Sequence, residues 1–131
     1  MALTSSMEDY LEAVFILQKQ NGYVRCVDVA EQLRVKKPSV SRAVKELSKK
    51  KYLTKEADGT LFLTELGLKF AEQIYEKHQF FTRQLIEAGV PQDIAAQDAC
   101  RLEHVISETS FQKLKEAACS GSREVIPSDE S

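Results

Sequence analysis

The sequence lacks the features that mark several classes of protein. It has no apolar run near the roughly 20 residues needed to cross a membrane, and its first residues lack the basic-then-apolar order of a signal peptide. Its three cysteines, Cys26, Cys100 and Cys119, are odd in number and widely spaced, which argues against a disulfide framework. These absences predict a cytoplasmic protein in a reducing compartment, with no membrane partner.

Sequence signatures of catalysis are also missing. The chain has no glycine-rich phosphate loop, no oxyanion-hole loop and no HExxH motif. We therefore predict no catalytic residues and expect a protein that is not an enzyme.

The length and composition of the chain fit one folded unit. The 131 residues suffice for one compact unit with a functional subdivision, and the contents of 43% hydrophobic and 29% charged residues exclude wholesale disorder.

The charged residues are unevenly distributed along the chain. Residues 34–55 carry nine basic residues and one acidic residue, a net charge of +8, so the rest carries −10 to give the total of −2. Such a block predicts a face that binds a polyanion.

Hydrophobic spacing predicts a mainly α fold. Apolar residues recur at the three- and four-residue spacing of amphipathic helices in four stretches, residues 6–20, 65–87, 92–107 and 108–118. Ser5 and Glu8 fit a capping box for the first helix, and Gly22 is its predicted stop. From residue 120 the chain is small, polar or charged, and we expect a flexible tail over 120–131.

The middle of the N-terminal half predicts a winged helix-turn-helix. A short helical stretch over residues 27–33 is followed after three residues by a second helix, in which Pro38 suits the first turn. Two β-prone runs, 52–56 and 61–64, then flank the hairpin signal Asp58-Gly59. We interpret this hairpin as the wing.

The second helix of this motif has the composition of a DNA-recognition helix. Base edges and phosphates both lie near the N-terminal end of such a helix, where short and cationic side chains reach them. The predicted DNA-binding residues are Lys36, Lys37, Pro38, Ser39, Ser41, Arg42 and Lys45. Arg42 is the best candidate for bidentate contact with guanine. A solvated cationic helix explains any single lysine, but the order of elements and the charge segregation favour DNA binding.

A second cluster of candidate residues lies near the C-terminal end. Cys100, Glu103 and His104 are three and four positions apart, so a helix directs a thiolate, a carboxylate and an imidazole to one face. This spacing predicts half of a metal site. Oxygen ligands favour manganese and iron, whereas the thiolate favours zinc, cobalt or iron. A thiolate nucleophile or a metal-activated water is the weaker interpretation of the same residues.

Three further residues could contribute ligands. Asp9 and Glu12 form an acidic pair three positions apart on the first helix, and His78 is one of two histidines in the chain. Taken singly, each has an ordinary explanation: complement to the helix dipole, surface residue, or partner for Glu76.

Taken together, these segments resemble a known family. The order SSMEDYLEAVFIL, VDVAEQLRVKKPSVSRAVKEL, the wing, KHQFFTRQLIEAGV and DACRLEHVIS is similar to the diphtheria-toxin-repressor and manganese-transport-repressor (DtxR/MntR) family over about residues 7–118. The resemblance implies a homodimer with a winged helix-turn-helix in each N-terminal half and a helical metal-binding and dimerisation half. It also implies binding to a palindromic double-stranded operator when Mn²⁺ or Fe²⁺ is loaded.

The resemblance also implies a ligand set. Asp9, Glu12 and His78 match ligands of the manganese-sensing branch, Cys100 matches the iron-sensing branch, and Glu103 and His104 match both. The predicted site is therefore a hybrid of the two branches, in which Co²⁺ or Zn²⁺ can substitute for Mn²⁺ or Fe²⁺.

These observations lead to one main hypothesis and two alternatives. The main hypothesis is a metal-dependent repressor of metal-uptake and homeostasis genes, with a DNA-binding domain over 1–64 and a metal-binding and dimerisation domain over 65–119. The first alternative is a winged-helix regulator that responds to another signal, such as oxidation of the Cys100 thiol. The second is a small metal-binding enzyme or metal buffer with an incidental basic helix.

Overall fold

The structure, a computed structural model, describes the backbone of residues 3–124 and the side chains of residues 3–119. Over this range the chain is mainly α, as predicted, with one antiparallel hairpin. The elements in chain order are α1 (Ser5–Asn21), α2 (Cys26–Leu33), α3 (Lys37–Lys49), β1 (Leu53–Lys55), β2 (Leu61–Leu63), α4 (Glu65–Glu87), α5 (Gln92–Val105) and α6 (Glu108–Glu124). No helix within the described part of the chain is long and apolar enough to cross a membrane.

The chain forms two compact units, one ending at Glu76 and the other beginning at Lys77. The domain boundaries expected at residues 64 and 119 stay predictions. α6 reaches Glu124, past residue 120 where the tail was expected to begin. Each added helical residue gains a backbone hydrogen bond, and the first proline after α6 is Pro127. Residues 125–131 of the expected tail lie outside the described residues.

The ends of α1 are set by two capping residues. Thr4 is the N-cap, and its side-chain oxygen accepts a hydrogen bond from the Met7 backbone N–H at 3.2 Å. The capping box predicted for Ser5 and Glu8 is therefore wrong, because Ser5 already lies inside the helix. Gly22 ends α1 as predicted: its φ is 85° and its N–H donates to the Gln18 carbonyl at 2.8 Å.

α1, α2 and α3 enclose the core of the N-terminal unit. Arg34 ends α2 in the left-handed region, at φ 57°, and two further residues lead into α3. This short turn completes a helix-turn-helix. α3 buries one side of its surface, which leaves its cationic side chains outside; the buried side consists of Val40, Val44 and Leu47.

The hairpin that follows α3 is the predicted wing. β1 and β2 pair antiparallel with Leu53 opposite Leu63 and Lys55 opposite Leu61. The Asp58 carboxylate accepts a hydrogen bond from the Thr60 N–H at 3.0 Å, which lowers the pKa of Asp58. Gly59 adopts φ 91°, a conformation that favours glycine. The predicted Asp-Gly turn therefore closes the wing.

The C-terminal unit has its own small aromatic core. Phe111 of α6 is 1% exposed, and its ring lies 5.5 Å from that of Phe80 and 6.0 Å from that of Phe81. Lys77 Nζ lies 3.4 Å from Glu108 Oε1 at the edge of this cluster. A hydrogen bond from the Gln112 amide, and secondarily Lys77, lowers the pKa of Glu108. These contacts hold α6 against the last turns of α4.

Candidate metal and DNA sites

One face of α5 gathers three groups that bind metals. Cys100, Glu103 and His104 each offer a ligand atom, and these atoms lie within 4.8 Å of one another. The predicted helical spacing therefore brings the three side chains together. Cys100 is half-buried, so its thiol is close to the surface of the unit.

Glu103 lies at the centre of this cluster. Its side chain has no exposed surface, and its Oε1 lies 2.9 Å from His78 Nδ1 of α4 in a hydrogen bond. Its other oxygen, Oε2, lies 3.6 Å from His104 Nε2. A buried carboxylate is costly unless cations or donors surround it, so Glu103 requires the positive or polar groups on both sides. Glu103 thus links the imidazole of His78 on α4 with that of His104 on α5.

The two remaining predicted ligands belong to the N-terminal unit. Asp9 and Glu12 are one turn apart on α1 and share a face. Asp9 is half-buried, whereas Glu12 is only 7% exposed. Such burial is rare for a glutamate unless its carboxylate has a partner.

The donor set of the C-terminal unit suits a divalent first-row metal. It combines a thiol, a carboxylate and two imidazoles, one of them on α4. Imidazole and thiolate are ligands of iron, cobalt and zinc, and the carboxylate adds the oxygen that manganese prefers. A divalent cation would also neutralise the buried Glu103 charge.

The predicted DNA-binding residues occupy the start and outer side of α3. Lys36 is the N-cap of this helix, and Pro38 lies in its first turn as predicted. Ser39 is half-buried, whereas Lys36, Lys37, Pro38, Ser41, Arg42 and Lys45 are exposed. The helix therefore presents hydroxyl and cationic groups opposite its buried apolar side.

The wing adds residues that sequence reasoning missed. A groove of about 700 Å³ runs between α3 and β1, with Ser41, Lys45, Ser48 and Lys49 on one wall and Leu53, Thr54 and Lys55 on the other. Lys55 was visible only as part of the basic block, since strand register decides which wing residues face the helix. The groove is cationic on both walls.

Comparison with known proteins finds one family that has both a DNA-binding domain and a metal-binding domain like those of this chain. Residues 2–61 match the N-terminal DNA-binding domain of iron-dependent repressors, and residues 64–118 match their metal-binding and dimerisation domain. The HTH-type transcriptional regulator MntR of Bacillus subtilis is 34% identical over 111 residues, which are 85% of this chain and 78% of that protein. The chain belongs to the DtxR/MntR family of metal-dependent repressors.

Solved structures agree with membership of this repressor family. The metal-dependent transcriptional regulator MtsR superposes with a TM-score of 0.81 at 26% identity, over 89% of this chain and 55% of that chain. T. acidophilum IdeR superposes with a TM-score of 0.76 at 27% identity, over 91% of this chain and 55% of that chain. The chain thus spans about half the length of these two proteins. The resemblance noted from the sequence is confirmed: the protein is a metal-responsive, DNA-binding transcriptional repressor.

Changing Glu103 to glutamine tests the centre of the metal cluster. The substitution keeps the side-chain size and removes the charge, so Mn²⁺ should bind more weakly. A ligand that binds only the native state at a hundred times its Kd stabilises it by about 2.7 kcal/mol. We expect MnCl₂ to raise the thermal midpoint of the unmodified protein, measured by circular dichroism against EDTA, and to leave that of Glu103→Gln nearly unchanged. Glu108→Gln, at an exposed position, is the matched control, and equal shifts in all three proteins would contradict the assignment.

Proposed function

We propose that the protein represses metal-uptake and homeostasis genes in the cytoplasm by binding palindromic operator DNA as a homodimer when loaded with Mn²⁺ or Fe²⁺. The observation that carries this proposal is the fully buried Glu103 carboxylate, whose Oε1 lies 2.9 Å from His78 Nδ1 and which offers a ligand atom within 4.8 Å of those of Cys100 and His104. The same chain carries a helix-turn-helix whose second helix is cationic on its exposed side.

The proposed ligands are Asp9, Glu12, His78, Cys100, Glu103 and His104. Four of them cluster in the C-terminal unit, and the family resemblance adds Asp9 and Glu12 from α1. Carboxylate oxygens favour Mn²⁺ and Fe²⁺, whereas the Cys100 thiolate allows Co²⁺ or Zn²⁺ to substitute. When bound, the metal supplies positive charge to clustered carboxylates. We expect metal loading to raise the affinity of the DNA-binding half for its operator.

The proposed DNA contacts divide into two kinds. Arg42 reads a guanine, with Ser39 and Ser41 close to base edges, whereas Lys36, Lys37 and Lys45 contact phosphates. Pro38 lies in the first turn of α3, where its fixed φ favours the helical conformation. It thereby helps to orient this turn towards the DNA. The wing supplies Lys55 on the far wall of the groove.

The proposed partner is a second copy of the chain. The described part of the C-terminal unit exposes more large apolar side chains than a small soluble surface needs, among them Ile94, Leu102, Val105 and Leu114. A twofold dimer covers such a surface and matches a palindrome with half-sites about 34 Å apart.

One titration tests the proposal as a whole. A labelled palindromic duplex is titrated with protein in EDTA and in Mn²⁺, Fe²⁺, Co²⁺ or Zn²⁺. If metal activates repression, the affinity for the duplex should be about 5- to 150-fold higher with metal than in EDTA, which is a coupling free energy of about 1 to 3 kcal/mol. By reciprocity, the protein should then bind metal more tightly in the presence of the duplex. Equal affinity for the duplex with and without metal would support a regulator that responds to another signal. No binding to the duplex would support a metal-binding enzyme or metal buffer.

The salt dependence of DNA binding tests the docking face. A dimer with about 6 to 10 phosphate contacts should lose roughly 10³ to 10⁵ in affinity between 50 and 200 mM salt, measured by fluorescence anisotropy. A flat salt response would rule out this face.

Substitutions on α3 test the two kinds of DNA contact. Arg42→Ala should cost about 1 to 3 kcal/mol of binding free energy and relax the preference at one base pair, whereas Lys49→Ala should weaken binding to all sequences alike. Fluorescence anisotropy on duplexes changed at single positions measures the loss of affinity and the loss of preference.

Metal selectivity tests the hybrid ligand set. Asp9→Met replaces a hard oxygen of the proposed ligand set by a thioether, so preference should move from Mn²⁺ towards Fe²⁺, Co²⁺ or Zn²⁺. Cys100→Glu should move it the other way. Calorimetric Kd values for the four metals measure the shifts, and unchanged selectivity in both variants would remove these residues from the site.

The assembly state tests the apolar surface of the C-terminal unit. Leu114, which is 44% exposed on α6, is one of the residues proposed to be covered by the second copy. Sedimentation at micromolar concentration should show a dimer for the unmodified chain and a shift towards monomer for Leu114→Asp, because a buried charge opposes association. Lys113→Asp, at a neighbouring side chain that is 76% exposed, is the control. A monomeric unmodified chain, with and without metal, would contradict the proposed dimer.

A further inference from the structure

Thr64 joins the start of α4 to the turn that follows α3. Its hydroxyl donates to the Lys51 carbonyl at 2.6 Å and lies 3.2 Å from the Tyr52 carbonyl oxygen, and its backbone N–H donates to the Tyr52 carbonyl at 3.1 Å. The same hydroxyl accepts a hydrogen bond from the Gly67 N–H at 3.0 Å. One side chain therefore uses both its donor and its acceptor capacity to connect two elements.

Gly67 allows the two elements to approach this closely. A Cβ built on Gly67 would overlap the Tyr52 carbonyl oxygen and lie 2.9 Å from the carbonyl carbon. Both are backbone atoms, so no side-chain rotation relieves the clash. Glycine is unfavourable within a helix, and this close contact explains its presence in α4.

The turn held in this way is strained. Lys51 has φ 70°, which is uncommon for a residue other than glycine, and the Tyr52 N–H donates to the Leu47 carbonyl at 2.9 Å. Such a conformation persists where the surroundings over-determine it. The hydrogen bonds to the Lys51 and Tyr52 carbonyls provide that constraint; together with Thr64 and Gly67 we call them the Thr64 clamp.

The clamped turn connects the two walls of the cationic groove. α3 ends at Lys49 immediately before the turn, and β1 begins at Leu53 immediately after it. Lys45 and Lys49 line one wall of the groove, and Lys55 lines the other. The conformation of residues 50–52 therefore sets the distance between the cations of the helix and the cation of the wing.

We propose that Thr64 and Gly67 are positioning residues for DNA binding, which hold the wing at the distance from α3 at which Lys55 and the α3 cations contact the same duplex. This inference rests on the proposed function. Neither residue needs to touch DNA, because each acts through the turn at residues 50–52.

The test compares Thr64→Val, which loses the hydroxyl, with Thr64→Ser, which keeps it. The probe is a duplex selected from a randomised pool by the Mn²⁺-loaded unmodified protein, at a temperature at which every protein is folded by circular dichroism. We expect Thr64→Val to bind this duplex at least tenfold more weakly, with Thr64→Ser and the exposed-site control Glu65→Gln within twofold of the unmodified protein. Mn²⁺ affinity should stay within twofold throughout. Unchanged duplex affinity in folded Thr64→Val would reduce the clamp to a stabilising contact and overturn the proposal.

A double-mutant cycle with Lys55 separates positioning from general weakening. Lys55→Ala should cost about fivefold in duplex affinity in the unmodified background and less than twofold beside Thr64→Val, because the wing is already displaced there. Equal losses in the two backgrounds would overturn the proposal. If the unmodified protein selects no duplex in the presence of metal, the proposed function fails and this inference fails with it.

Two further measurements keep the test decisive if Thr64→Val unfolds. Gly67→Ala should show the same loss of duplex affinity with unchanged Mn²⁺ affinity. If that variant also unfolds, amide hydrogen exchange of the unmodified protein decides: the Thr64 and Gly67 amides should exchange as slowly as that of Leu47 in the core. Fast exchange of these two amides would show that the clamp is open in solution and would refute its positioning role.

Discussion

A carboxylate can be buried in a protein only if cations or hydrogen-bond donors surround it, and the C-terminal unit is organised around one such carboxylate. Glu103 has no exposed surface, and its two oxygens face imidazoles on different helices, His78 on α4 and His104 on α5. This arrangement explains why both histidines of the chain lie beside the same residue. It also explains how a unit with a small aromatic core can hold α4 and α5 together, and why a divalent cation suits the cluster.

The N-terminal unit is subject to a different electrostatic constraint. Its basic block must face solvent, because the charges repel one another and cannot be buried without partners. α3 meets this constraint by burying Val40, Val44 and Leu47 and exposing its lysines and Arg42. The wing then extends the same cationic surface through Lys55. The proposed DNA contacts therefore lie on the side of α3 opposite to the apolar side that stabilises the unit.

Metal response in this family requires that chemistry in one unit alter the DNA affinity of another. The proposed sensing residues offer oxygen, nitrogen and sulfur ligand atoms, whereas the proposed DNA contacts lie on α3 and the wing. The positioning role proposed for the Thr64 clamp would add a requirement within the DNA-binding unit itself. A recognition helix and a wing contact the same duplex only when the turn between them has a defined shape.

Local patterns in the sequence determined a large part of this protein. The three- and four-residue spacing of apolar side chains predicted the helices, Asp58-Gly59 predicted the wing turn, and the spacing of Cys100, Glu103 and His104 predicted their common face. Each of these features depends on neighbours within a few residues, so the local sequence suffices. The predicted N-cap was wrong by one residue, because Thr4 and Ser5 are both good caps and only the backbone conformation decides between them.

Only the tertiary structure showed how distant residues contact one another. The family resemblance placed His78 and Glu103 in one ligand set, but their direct hydrogen bond, across 25 positions, depends on how α4 and α5 pack. The place of Lys55 in the groove depends on strand register, and the need for glycine at position 67 depends on the approach of the Tyr52 carbonyl. A pattern of residue types along a chain records local propensity, whereas these contacts arise from packing between elements far apart in sequence.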